Sequence, residues 1–108
     1  MIQHLTKDTF TQATEGVSLI DFWATWCGPC NMLAPTIEEL DKEFEGKVFV
    51  GKVNVDQEPD LSSQFEVMSI PTILILKDGV EVQRIIGVRS KQKFLDSLNE
   101  VLSPQAAQ

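Results

Sequence analysis

The sequence predicts an α/β fold: a central mixed β-sheet with a mostly parallel core and an antiparallel edge hairpin, flanked by helices on both faces. Three observations predict it. Residues 17–24 (VSLIDFWA) are apolar on both alternating sets, broken only by Ser18 and Asp21, as in a central strand covered on both sides. Runs rich in β-branched residues alternate with stretches of helical periodicity, and strand–helix alternation implies parallel pairing. Late in the chain, Lys77-Asp78-Gly79 carries a turn signal between two strand-like runs, which makes an antiparallel hairpin.

In order, residues 2–4 predict a short strand and residues 7–14 a helix, followed by the central strand at 17–24. Leu33, Ile37, Leu40 and Phe44 then recur at helical spacing with charged residues between them, which predicts an amphipathic helix. Pro35 should kink it. Residues 48–55 (VFVGKVNV) predict the next strand. Pro59 suits a first helical position, and Leu61 with Phe65 gives a short apolar stripe behind it. Residues 72–76 and 80–86 form the hairpin. Phe94, Leu95, Leu98, Val101 and Leu102 mark a closing helix, with Ser90 placed to cap it. The order is β-α-β-α-β-α-β-β-α, read as a single domain over residues 1–108 whose polar end, 103–108, should fray.

Composition narrows the function. Of 108 residues, 43% are hydrophobic, enough for a real core without disulfide staples. The formal net charge of −7 works against a nucleic-acid reader and against binding to anionic membranes. The start, MIQHLTKDTF, has neither the basic residues nor the apolar run of about 7 to 15 residues of an export signal. The longest aliphatic run, residues 73–76, is far too short to cross a bilayer. A cytoplasmic location is expected. There, structural disulfides rarely persist, and a close thiol pair is more often catalytic, redox-sensing or metal-binding.

The chain has two cysteines, Cys27 and Cys30, in the stretch ATWCGPCNMLAP. Side chains three apart on a regular helix have Cβ atoms about 5–6 Å apart, whereas a disulfide wants about 3.5–4.5 Å. The two could pair only if Cys27 sits at the helix entrance. Gly28 relaxes that entrance, and Pro29 costs no hydrogen bond in a first turn. Free N–H groups and the helix dipole there favour a Cys27 thiolate and lower its pKa. An ordinary thiol of pKa about 8.5 is only about 3% ionised at pH 7, so the shift matters for attack and makes Cys27 a better leaving group. As a staple the bond would be poor. A four-residue loop removes only about 2 kcal/mol of unfolded-chain entropy.

Other readings fit less well. Zinc needs three or four protein ligands, and with two cysteines and the distant His4 only an intermolecular site would serve. Two inert buried thiols leave the helix-entrance context unexplained. A redox pair accounts for both. Asp21 is the one charge in a strand that reads as buried on both sides. Burial should raise its pKa and suit it to accept a proton near neutrality; alternatively it is a strand-end residue that reaches solvent.

With Trp26-Cys27-Gly28-Pro29-Cys30 between a buried strand and a helix, the chain resembles the thioredoxin family from about residue 2 to residue 102. The resemblance takes in Asp21-Phe22-Trp23-Ala24, Ala34-Pro35, Lys52-Val53-Asn54-Val55-Asp56, Ser69-Ile70-Pro71-Thr72, Lys77-Asp78-Gly79 and Ile86-Gly87. It implies a thioredoxin fold and a protein-disulfide reductase in which Cys27 attacks a target disulfide and Cys30 resolves the mixed disulfide. It further implies no bound cofactor and recycling by an NADPH-dependent flavoprotein, thioredoxin reductase. The ligand count leads us to expect no metal, and nothing in the sequence suggests an oligomer, so a monomer is expected. Asp21 would deprotonate Cys30, with Lys52 beside it; a solvated strand lysine is the other reading of Lys52. Local sequence alone predicts a trans Pro71, while the resemblance implies a cis bond that presents the Ile70 backbone beside Cys27. Trp26, Gly28, Pro29, Ile70, Pro71, Gly87 and Val88 would form an apolar rim for target docking. Trp23, Met32 and Met68 are expected in packing roles.

Asn31 departs from the family, which usually carries Lys or Arg after the second cysteine, and so removes a positive charge near the site. Phe65 and Leu76 replace residues that are often Tyr and Phe. Two other functions share the fold: an oxidant or isomerase of disulfides, disfavoured by the Gly-Pro dipeptide and the absent export signal, and a docking module without turnover.

Overall fold

A computed structural model describes residues 2–104; of the tail expected to fray, residues 105–108 lie outside the described residues. Among the described residues, five strands form one sheet in the order β1-β3-β2-β4-β5, with β1 at Gln3–His4, β2 at Val17–Trp23, β3 at Val48–Asn54, β4 at Thr72–Lys77 and β5 at Val80–Ile86. Three α-helices connect or close it: α1 at Gly28–Glu43, α2 at Pro59–Gln64 and α3 at Lys91–Leu102. β2 is central, as its two-sided apolar pattern predicts.

The sheet is parallel across β1, β3 and β2, and antiparallel from β2 to β4 and from β4 to β5. The antiparallel part therefore begins one strand before the hairpin. Helix lengths explain the direction of each strand. The 16 residues of α1 rise about 24 Å, matching a seven-residue strand of about 23 Å, so α1 returns the chain and β3 starts parallel to β2. The six residues of α2 rise only about 9 Å. The loop behind it folds back at the same end of the sheet, Val67 N–H bonding Ser62 O at 2.9 Å. β4 therefore has to run the other way.

Side-chain alternation along β2 divides the core. Leu19 packs with Leu33, Ile37 and Leu40 of α1 and with Phe94 and Leu98 of α3. Ile20 and Phe22 face the other side, against Leu5, Phe10, Ala13 and Leu61. The β2 residues on both faces are almost wholly buried, which is why the strand carries no ordinary polar–apolar alternation. Ser90 caps α3 as predicted, its hydroxyl accepting from Lys93 N–H at 3.3 Å. Pro35 lies inside α1, which continues past it to Glu43.

Several expectations are corrected. The helix expected at 7–14 is instead a turn followed by a 3-10 helix at Phe10–Ala13. Thr9 and Thr6 hydroxyls accept from Thr6 and Asp8 N–H groups, and such local bonds compete with an α-helix. Phe10 and Ala13, three apart and both buried, suit the tighter turn. Met32 and Met68 are not packing residues: they are 73% and 93% exposed. Met32 lies off the inward stripe Leu33–Ile37–Leu40 of α1, and Met68 stands in the loop before β4. Trp23 is only half-buried, at the margin of the core.

Phe94 is fully buried between α3 and the sheet. Phe94→Ala should lower unfolding free energy by about 3–5 kcal/mol, read from chemical denaturation followed by tryptophan fluorescence.

Candidate active site

The site forms where β2 hands the chain to α1. After Trp23 the backbone turns, Cys27 N–H bonding Ala24 O at 3.2 Å. Cys27 is still extended, at φ −85° and ψ 107°, and occupies the N-cap of α1, with Pro29 in the first turn. Its Sγ accepts the Cys30 N–H at 3.2 Å, the place an N-cap oxygen fills in other helices. Cys27 and Cys30 are joined in a disulfide, with Cα atoms 5.2 Å apart. Both sulfur residues are buried, packed with Ala24 and flanked by Trp23, Val55 and Ile70. The helix-entrance geometry inferred from the Gly-Pro dipeptide is the one found.

Facing Cys27 is the segment that leads into β4. The Ile70–Pro71 peptide is cis, as the resemblance implies and local sequence does not, and Ile70 O lies 3.9 Å from Cys27 Sγ. The segment is tied on both sides: Thr72 Oγ1 donates to Ser69 O at 2.6 Å, and Gly87 N–H donates to Pro71 O at 2.9 Å. Gly87 has φ +88°, a left-handed backbone that glycine adopts without strain.

Around the disulfide, Trp26, Gly28, Pro29 and Val88 are exposed, Ile70 and Gly87 partly so, and Pro71 is buried. The expected rim residues thus gather at one end of the sheet, with Pro71 beneath them. Trp26 is held by a 2.7 Å bond from its Nε1 to Asp56 Oδ2. Beside it lies a shallow cavity of about 210 Å³ lined chiefly by Trp26, Val55, Val67, Met68 and Ile70. Sequence reading missed Met68 as part of this surface; its place between a helix and a strand, outside any apolar period, was the available signal. It also missed the Trp26–Asp56 bond, which no local pattern marks. Asn31, in place of a basic residue, bonds Thr25 O through Nδ2 at 3.3 Å.

Asp21 lies in the middle of β2 and is 1% exposed, so it is not a strand-end residue reaching water. By alternation it shares the sheet face of Leu19, which packs on Leu33 and Ile37, and of Trp23, which flanks Cys30. It therefore sits under the first turns of α1. Its Oδ1 is buried with no hydrogen-bond partner among the described residues. Burial pushes the carboxyl from its ordinary 3.8 up to about 6, against an opposing pull from Lys52. Lys52 is the cross-strand neighbour of Asp21 on β3. Its ammonium stands 5.2 Å from the centroid of the Trp23 ring, which His4 meets edge-on at 6.2 Å.

Among the described residues, no group of three or more His, Cys, Asp and Glu side chains could hold a metal ion, and no helix is long and apolar enough to cross a membrane. A helix-capping disulfide, set beside a proline-bearing loop on a five-stranded mixed sheet, defines a thiol–disulfide oxidoreductase. The thioredoxin family model matches residues 1–100. The chain is 44% identical over 95 residues to thioredoxins of Staphylococcus aureus strains Mu50, MW2 and USA300, covering 88% of this chain and 91% of each relative. It belongs to the thioredoxin family, and Cys27–Cys30 is its redox-active couple.

The Asp21 shift has a stability consequence. Between pH about 3.8 and about 6 the folded chain holds a proton that the unfolded chain has lost, so stability falls as pH rises through that window and the cost is complete above it. The difference amounts to about 3 kcal/mol. Asp21→Asn should therefore stabilise the oxidised protein by about that much at pH 7–8. The gain should vanish near pH 4, as measured by denaturant unfolding across pH.

Proposed function

We propose that the protein reduces disulfides in other proteins, with Cys27 as nucleophile and Cys30 as resolving thiol. The observation that carries this reading is the Cys30 N–H on Cys27 Sγ at the N-cap of α1. With the bond open, that donor and the helix dipole favour a Cys27 thiolate. The thiolate attacks one sulfur of a target disulfide. A Cys27–target bond forms, and the other target sulfur leaves as a thiolate that takes a proton.

Cys30 then loses its proton and attacks Cys27 Sγ. The Cys27–Cys30 bond forms and the second target sulfur is released, so that two electrons and two protons have passed to the target. Asp21 is the proton acceptor for Cys30. With a pKa of about 6, it is about nine-tenths ionised at pH 7. Lys52, its cross-strand neighbour, holds that pKa below what burial alone would give.

Gly28 and Pro29 shape the helix entrance. Trp26, Ile70, Gly87 and Val88 contact the target, which lies along the Ile70–Pro71 backbone as an added extended segment. The exposed Met68 extends that surface, its flexible thioether suiting varied partners. A flavoprotein thioredoxin reductase using NADPH regenerates the dithiol, so the chain works without a bound cofactor, as a cytoplasmic monomer.

Cys30→Ser should trap a covalent target complex, seen as a dithiothreitol-sensitive band on a non-reducing gel. Cys27→Ser should trap none, and the double variant should be inactive in disulfide reduction. The reverse trapping pattern would overturn the assigned roles, and full activity of the double variant would leave only a docking function. In the wild type, decay of the transient Cys27–target mixed disulfide should slow as pH falls through about 6, the range in which Asp21 gains its proton. Stopped-flow traces across pH would show it.

A further inference from the structure

Arg84 makes contacts that the chemistry above leaves unused. Its Nε and Nη2 bond the two oxygens of Glu81 at 2.9 and 2.8 Å, while Nη2 reaches Phe65 O at 2.6 Å and Nη1 reaches Glu66 O at 3.2 Å. One guanidinium on β5 thus closes on a carboxylate of its own strand and on two backbone carbonyls at the end of α2.

A regular strand would not allow this. Residues three apart point to opposite faces of a sheet, so Glu81 and Arg84 should not meet. The β4–β5 register shifts between Ile75, which pairs with Gln83, and Leu76, which pairs with Glu81. Val82 is therefore the extra residue of a β-bulge. The bulge offsets the alternation by one and brings Glu81 to the Arg84 side, the re-aiming that bulges produce.

The carbonyls it holds begin the segment 65–71. Glu66 there has φ +52°, a left-handed conformation that non-glycine residues seldom adopt. Four residues on, Ile70 O faces Cys27 Sγ. The far end of the segment is tied by Thr72 and Gly87; Arg84 ties the near end. We propose that Arg84, oriented by Glu81 across the bulge, is a positioning residue that holds segment 65–71 in the arrangement that docks target proteins. The inference rests on the target-reducing reading above and adds to it a residue that sets affinity without touching the reacting sulfurs.

The test compares the full-length wild type with Arg84→Met, Arg84→Lys and Glu81→Gln. Dithiothreitol regenerates the dithiols in the insulin assay so that no reductase has to dock, and it is removed after pre-reduction for the small disulfide, which it would otherwise reduce directly. Each is assayed with insulin as a protein disulfide and with the small disulfide 5,5′-dithiobis(2-nitrobenzoate). If the docked arrangement falls to about one-fifth of the population, the KM for insulin rises about fivefold in Arg84→Met. The kcat and the rate with the small disulfide should stay within about twofold of wild type. Arg84→Lys, which keeps the charge but lacks the fork, should recover only part of the affinity. Glu81→Gln should raise KM in the same direction by a smaller factor.

Amide exchange at residues 66–70 should quicken in Arg84→Met and not at β2. Phe65 stays packed against Phe10 and Phe22 at centroid distances of 5.1 and 6.0 Å, which keeps the fold. Should Arg84→Met nevertheless unfold, Glu81→Gln decides by the same readouts. An unchanged KM for insulin, or equal losses with the small and protein disulfides, would overturn the inference. A wild type that reduces the small disulfide but not insulin would instead overturn the target-reducing reading on which it stands.

Discussion

The chemistry of this fold depends on Cys27 serving as the N-cap of α1. β2 is buried on both faces, so the point where it ends is fixed by the core rather than by the loop. The helix begins five residues later, and Gly28 with Pro29 lets it do so without leaving a first-turn donor blocked. Cys27 Sγ then occupies the place of a capping oxygen, on the Cys30 N–H. The sulfur that forms the disulfide and the atom that caps the helix are the same. Opening the bond returns a sulfur to a donor already in place, which is a form of preorganisation.

Three further elements converge on that point without being neighbours in sequence. β2 brings Asp21 beneath the first turns of α1, the loop before β4 brings Ile70 O against Cys27, and the turn after β5 brings Gly87 to the Pro71 carbonyl. The carboxylate is the costly member. A core that would be more stable with a neutral residue keeps a buried oxygen that has no partner among the described residues, and the closely packed layers around Leu19, Phe22, Phe94 and Leu98 offset that cost. Stability and proton transfer are set against each other at one position.

Much of this was legible in the chain. The two-sided apolar run around Leu19–Phe22, the Leu33–Ile37–Leu40 stripe and the Lys77-Asp78-Gly79 turn each follow from local physics, and the structure repeats them. The Cys27 cap was legible because Gly28-Pro29 between cysteines leaves few other backbone paths. What escaped depended on contacts distant in sequence or on direction. The reversed strand β4 follows from the shortness of α2, which a single apolar stripe cannot fix. Met68 and Met32 look like core residues by type alone; their exposure comes from loop and helix-face position. The Ile70–Pro71 isomer was legible only through family resemblance, because the local residues favour trans. The Arg84–Glu81 pairing needed a bulge that no residue in VEVQR announces.

The most direct test of a reductant built on this cap is the midpoint potential of the Cys27–Cys30 couple, titrated in dithiol/disulfide buffers. Each 30 mV corresponds to about 1.4 kcal/mol for a two-electron couple. The predicted value lies well below the range of oxidising folding catalysts, about −120 to −180 mV. A value within or above that range would mean that the chain donates disulfides to its partners, with electrons flowing opposite to the direction assigned here.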